Sequence, residues 1–101
     1  MSEQRQTYRL KDSIQLEAGE EGAVLVDGAT GTICALNGTG QLLAEALRIA
    51  VQAEDLAGLL VSAFGISREL ADGDVESFLQ QLSAVGFLEL VHERDQQRRV
   101  A

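Results

Sequence analysis

Cys34 is the one thiol in this chain and His92 the one imidazole, so nucleophilic catalysis by a cysteine would need these two residues, far apart in sequence, to meet. Such a pair also needs a group to orient the base. His92 opens a charged C-terminal stretch without apolar periodicity, a poor place to hold an imidazole still. Cys34 reads more simply as a small, half-buried apolar residue on a strand, facing the same way as Leu36 by period-two alternation. The same inventory permits no internal disulfide and no thiolate cluster, and a zinc ion would depend almost wholly on carboxylates. We therefore expect no catalytic residue, no metal and no cofactor.

Two other patterns invite a chemical reading. Asp72 and Asp74 could act as paired carboxylates for acid–base work or for a cation, but two acids at a helix start are favoured by the helix dipole alone. Gly28, Gly31, Gly38 and Gly40 suggest a phosphate loop, yet the lysine of such a loop is missing and the elements run hairpin then helix. Turn chemistry accounts for these glycines.

The elements that carry these residues are legible from spacing. Partial alternation through Tyr8, Leu10, Ser13, Ile14 and Leu16 predicts a half-buried strand with an irregularity near Asp12. Gly19-Glu20-Glu21-Gly22 turns the chain into a second strand, Ala23 to Val26. Asp27 to Gly31 supplies a tight turn, and Thr32 to Leu36 returns antiparallel as a third strand. Asn37 and Thr39 can cap a helix whose apolar stripe is Leu42, Leu43, Ala46, Leu47 and Ala50. Glu54 and Asp55 suit the start of a second helix, with Leu56, Leu59, Leu60 and Phe64 on one face and Gly65 at its end. A third helix is expected from about Asp74, with Val75, Phe78, Leu79, Leu82 and Val85 in its stripe and Gly86 as its stop. The fold class is α+β, a winged helix-turn-helix-like domain with a three-stranded antiparallel sheet followed by three helices.

At 101 residues and 46% apolar, the chain supports one core. Residues 1–6 are read as a flexible N-terminus, 7–91 as the domain and 92–101 as a flexible charged tail. There is no apolar run near the roughly 20 residues of a membrane span and no apolar segment of a secretory signal, so a cytoplasmic protein with no membrane partner is expected. Between Asp12 and Glu93 stand two arginines against fourteen carboxylates, a net charge of −12. Such a surface repels a phosphate backbone, so nucleic acid is not an expected partner.

A third strand, if it lies at the sheet margin, leaves backbone groups unpaired; core packing accounts for at least half of the stripe Val75, Phe78, Leu79, Leu82 and Val85, and its other flank can wall a shallow groove beside that strand. Several residues here resemble the small family typified by the pyrroloquinoline quinone biosynthesis protein D (PqqD): Val24-Leu25-Val26, Leu36-Asn37, Thr39-Gly40, Leu43 and Leu47, then Asp74-Val75, Phe78-Leu79, Leu82 and Gly86-Phe87-Leu88. The Leu-Asn-x-Thr-Gly wording is similar to relatives that serve lasso-peptide proteases and radical enzymes more than to the quinone protein itself. Cys34 stands where relatives often carry an aromatic residue and Ala44 where they often carry a Trp, which implies a smaller pocket.

That resemblance implies a non-enzymatic recognition element for ribosomally synthesised, post-translationally modified peptides (RiPPs). The leader of a precursor peptide would add as a strand along Thr32, Ile33, Cys34, Ala35 and Leu36, with its apolar side chains against Val75, Phe78, Leu79 and Leu82. It would be presented to a separate enzyme such as a radical SAM enzyme, a cyclase or a leader peptidase. A homodimer paired through the same edge, acting as a structural adaptor, is the alternative; a winged-helix DNA binder is a weaker one.

Overall fold

The computed structural model describes residues 6–92. The flexible ends expected at 1–6 and 92–101 lie outside it except for Gln6 and His92, whose backbones belong to paired strands. The chain runs β1 (Gln6–Leu10), β2 (Ile14–Gly19), β3 (Gly22–Asp27), β4 (Ile33–Leu36), α1 (Gly38–Ala46), α2 (Ala53–Phe64), α3 (Arg68–Ala84) and β5 (Leu88–His92). β2, β3 and β4 form the expected three-stranded antiparallel sheet, and the three helices follow it.

The first expected strand is two strands. A turn closed by Ile14 N–H on the Lys11 carbonyl (3.0 Å) splits it at the irregular region near Asp12. β2 joins the main sheet, whereas β1 pairs antiparallel with β5, Tyr8 opposite Leu90. β5 was not expected, because its partner lies near the other end of the chain and local spacing carries no trace of it. β1 is bonded on its other side too: Tyr8 exchanges both backbone hydrogen bonds with Val51 (2.7 and 3.0 Å), and Leu10 N–H reaches the Leu47 carbonyl (2.9 Å). Arg9 donates from Nε to Glu89 across the pair (2.9 Å), and this carboxylate raises the guanidinium pKa further.

The β3–β4 hairpin forms as its sequence dictates. Gly31 takes φ +80°, and its N–H bonds the Asp27 carbonyl (2.7 Å). The Asp27 carboxylate accepts from Ala29 N–H (2.9 Å), a turn bond specific to the charged form that holds its pKa below the ordinary 3.8. Asn37 caps α1, its Oδ1 accepting from Gly40 N–H at 2.7 Å. Gln52 and Asp55 make a reciprocal box at the start of α2, and Gly65 in the left-handed conformation ends it.

α3 corrects a boundary. It begins at Arg68, capped by Ser67 Oγ on Leu70 N–H (3.1 Å), so Asp72 and Asp74 are interior residues and not the helix start. Asp72 pairs with Arg68 one turn back (3.2 Å). The core gathers Leu10, Leu25, Leu43, Leu47, Leu56, Leu60, Leu82 and Phe87, so both sheets and all three helices share one interior. No helix among the described residues is long and apolar enough to cross a membrane.

Two outcomes follow from the caps. Asn37→Ala should lower unfolding stability by about 1 kcal/mol, read from urea midpoints. For Asp27 the folded pKa is depressed, so its contribution is full above pH 3.8 and is lost as pH falls through the folded value. Asp27→Asn should therefore destabilise at pH 7, and the difference from the parent chain should shrink in melts at progressively lower pH below 3.8.

Candidate functional site

β4 is an edge of its sheet, and the pairing decides which of its backbone groups are free. Asp27 N–H donates inward to the Thr32 carbonyl (2.9 Å), and the register then makes Leu25 with Cys34 and Ala23 with Leu36 the pairs that exchange hydrogen bonds. Ile33 and Ala35, at the alternate positions, direct N–H and C=O away from β3 to the open side. Of the five backbone positions expected to meet a peptide, only these two present a ladder. Thr32 belongs to the turn, its hydroxyl 2.8 Å from that of Thr30.

Side chains divide the other way. Cys34 and Leu36 are half-buried and face inward with Leu25 and Ala23, whereas Ile33 (63% exposed) and Ala35 stand on the outer face. Beside this edge lies a groove of about 610 Å³ between β4, the start of α1 and one flank of α3. Cys34, Leu36, Leu43 and Phe78 give it apolar surface, and Asp74, Ser77 and Gln81 give it a polar border on the helix.

Of the four α3 residues expected beside a peptide, one borders the groove. Phe78 is half-buried in the groove, but Val75 (2% exposed), Leu79 (8%) and Leu82 (1%) are core residues that do not border it. The helical pitch explains the division: at about 100° per residue, Val75, Leu79 and Leu82 centre on one direction, and Phe78 lies about 60° from Val75 on the side of Asp74. Val85, also placed in the stripe, is 47% exposed at the helix end. Asp74, Ser77 and Gln81 were missed because a search for apolar anchors skips polar residues. Asp74 stands three and four residues before Ser77 and Phe78, and Gln81 four and three residues after them, and this spacing was the available signal.

Phe78 rests on Gly40. A Cβ there would stand 3.3 Å from Phe78 Cε1, 3.2 Å from Asn37 Oδ1 and 3.4 Å from Leu36 Cδ2. Glycine thus lets the ring settle against the first turn of α1 without displacing the cap. Ala44, where a smaller pocket lining was expected, is fully buried in the core and does not border the groove.

A second, larger concavity of about 890 Å³ lies on the opposite flank of α3, where Tyr8, Val75 and Leu79 meet Glu54, Asp72 and Glu76. It borders no open strand edge, since β1 is bonded on both sides. Among the described residues no three His, Cys, Asp or Glu side chains are grouped to hold a metal. The backbone of His92 pairs with Gln6, and Cys34 lines the groove.

Gly40→Ala should therefore gain none of the roughly 1 kcal/mol that alanine normally adds over glycine inside a helix, because it forces Phe78 or Asn37 to move. Thermal melts of the pair check this.

The fold is shared with solved structures. Lasso peptide synthetase B1 complexed with the leader peptide superposes with a TM-score of 0.71 at 28% identity, over 81% of this chain and 96% of that one. TbiB1 in complex with the TbiA(beta) leader peptide gives 0.72 at 21% identity, covering 80% and 94%. The solution structure of the PqqD truncation of Methylobacterium extorquens PqqCD, a stand-alone RiPP recognition element, gives 0.69 at 18% identity, covering 82% and 88%. No curated protein matches the chain significantly. The family model for coenzyme PQQ synthesis protein D (PqqD) matches residues 22–88, from the first residue of β3 to the first of β5. With the hairpin, the edge, the groove and both helices that wall it inside that match, the chain belongs to the PqqD family.

Proposed function

We propose that this protein binds the leader of a ribosomally made precursor peptide and presents it to a separate modifying enzyme or protease, such as a radical SAM enzyme, a cyclase or a leader peptidase. The carrying observation is the open edge of β4 at Ile33 and Ala35, lying beside a groove with Phe78 in its wall. Support comes from the lasso peptide synthetase B1 structure, 28% identical and complexed with a leader peptide. The leader adds as an extended strand, its backbone on Ile33 and Ala35 and its alternate side chains turned towards Cys34, Leu36 and Phe78.

The protein acts by binding alone, in the cytoplasm where precursor peptides are synthesised. Two outward-facing residues offer at most four ladder hydrogen bonds, each worth about 0.5–1.5 kcal/mol net. Ordering the peptide costs about 1–2 kcal/mol per residue, so the ladder alone does not hold it and a seated side chain must contribute. Presentation then raises the effective concentration of the substrate at the enzyme.

Ala35→Pro and Phe78→Asp test the two halves of this reading. Ala35 N–H points to the open side, so proline there leaves the β3 ladder intact and removes a donor from the peptide. Titration of a fluorescein-labelled leader peptide, taken from any short precursor gene found adjacent in the genome, should show affinity lost about tenfold in the first and more in the second, with both variants folded by circular dichroism. Unchanged affinity in both would sink the proposal, and a protein-concentration-dependent mass without leader binding would favour self-pairing at the same edge. Leu82→Asp is unsuitable, because a carboxylate at that core position unfolds the domain.

A further inference from the structure

Asp74 is the one charged side chain bordering the groove among the described residues, and the fold gives it no other task. Placed at a helix start it would serve the dipole, but α3 begins six residues earlier under the Ser67 cap. Its neighbours one turn away on α3, Leu70, Ala71, Ser77 and Phe78, carry no cation. The ion pairs among the described residues join Arg9 to Glu89 and Arg68 to Asp72, leaving Asp74 exposed and unengaged on the groove flank.

The pitch of the two elements gives this position meaning. Asp74, Ser77, Phe78 and Gln81 all border the groove, so the flank of α3 follows it for about 10 Å. Along an added strand, side chains facing one way recur every two residues, about 6.8 Å apart. Asp74 and Phe78 are one helical turn apart, about 6 Å. For a strand that runs along this flank, one apolar side chain against Phe78 therefore puts the next groove-facing side chain, two residues away, at the spacing of Asp74.

We propose that the groove selects leaders carrying a Lys or Arg two residues from the apolar side chain seated on Phe78, paired with Asp74. This rests on the reading of the β4 edge as a leader site and adds to it a charge requirement at a defined spacing. An exposed pair of this kind adds modest affinity, but it sets the register of a short strand and rejects the reversed charge. A strand slipped by one residue turns both groups away from the groove.

The experiment is a displayed library of random decapeptides panned against the full chain and against Asp74→Lys, Asp74→Asn and Phe78→Asp. The parent chain should enrich Lys or Arg two residues from a large apolar residue. Asp74→Lys should enrich Asp or Glu there, and Asp74→Asn should show no charge preference. For one enriched peptide, changing its Lys to Glu should weaken binding to the parent roughly threefold to tenfold, and Asp74→Lys should restore it. The difference should shrink between 50 mM and 500 mM salt as screening shortens the range of the pair. Peptides that depend on Phe78 but show no charge preference, or one unmoved by Asp74→Lys, overturn this inference and leave the leader site standing. Absence of any enrichment, or enrichment indifferent to Phe78→Asp, overturns both.

Discussion

The burial of one face of α3 is the constraint on which the rest depends. Val75, Leu79 and Leu82 enter the core together, each worth roughly 1.5–3 kcal/mol of removed apolar surface, so the helix cannot rotate without exposing them. With that face committed, the angular position of every other side chain on α3 is set. Phe78 is carried towards β4 and Asp72 and Glu76 towards the opposite concavity. The groove is thus a by-product of core packing that the sequence has furnished with an aromatic ring.

The edge strand is governed by a different rule. β3 spends alternate backbone groups on β2 and β4, as the Ser13–Gly28 and Thr32–Asp27 bonds mark out, and β4 in turn has groups left over at Ile33 and Ala35 only. Its inward side chains, Cys34 and Leu36, extend the apolar surface of the sheet to the groove floor. One four-residue strand therefore supplies both polar backbone and apolar side chains, on separate sides, to whatever lies alongside it. Gly40 joins this strand to the helix, since a Cβ there would crowd ring, cap and strand end at once.

What was legible in the sequence was what is decided locally. The β3–β4 hairpin, the Asn37 cap, and the ends of α2 at Asp55 and Gly65 all follow from residues within a few positions of one another. β5 was hidden because its partner is β1, and the split of the first strand was hidden because β1 and β2 belong to different sheets. The start of α3 was masked by Asp72 and Asp74, which read as the dipole-favoured opening of a helix and lie in its interior. Of the residues expected to meet a peptide, Cys34, Ala35, Leu36 and Phe78 border the groove, and Val75, Leu79 and Leu82, which periodicity alone could not separate from Phe78, lie in the core. A helical stripe says which residues avoid water and leaves open which neighbour covers them.

The open side of β4 has a thermodynamic side that concerns the protein itself. A sheet margin with Ile33 exposed beside it is a template for any extended chain, another copy included. A ligand that occupies only the folded state stabilises it in proportion to the logarithm of its concentration over Kd. Under the proposed leader binding, a peptide seated on β4 therefore also stabilises its carrier. On that reading, the margin of β4 is shielded while a peptide is bound and stands open again when it leaves.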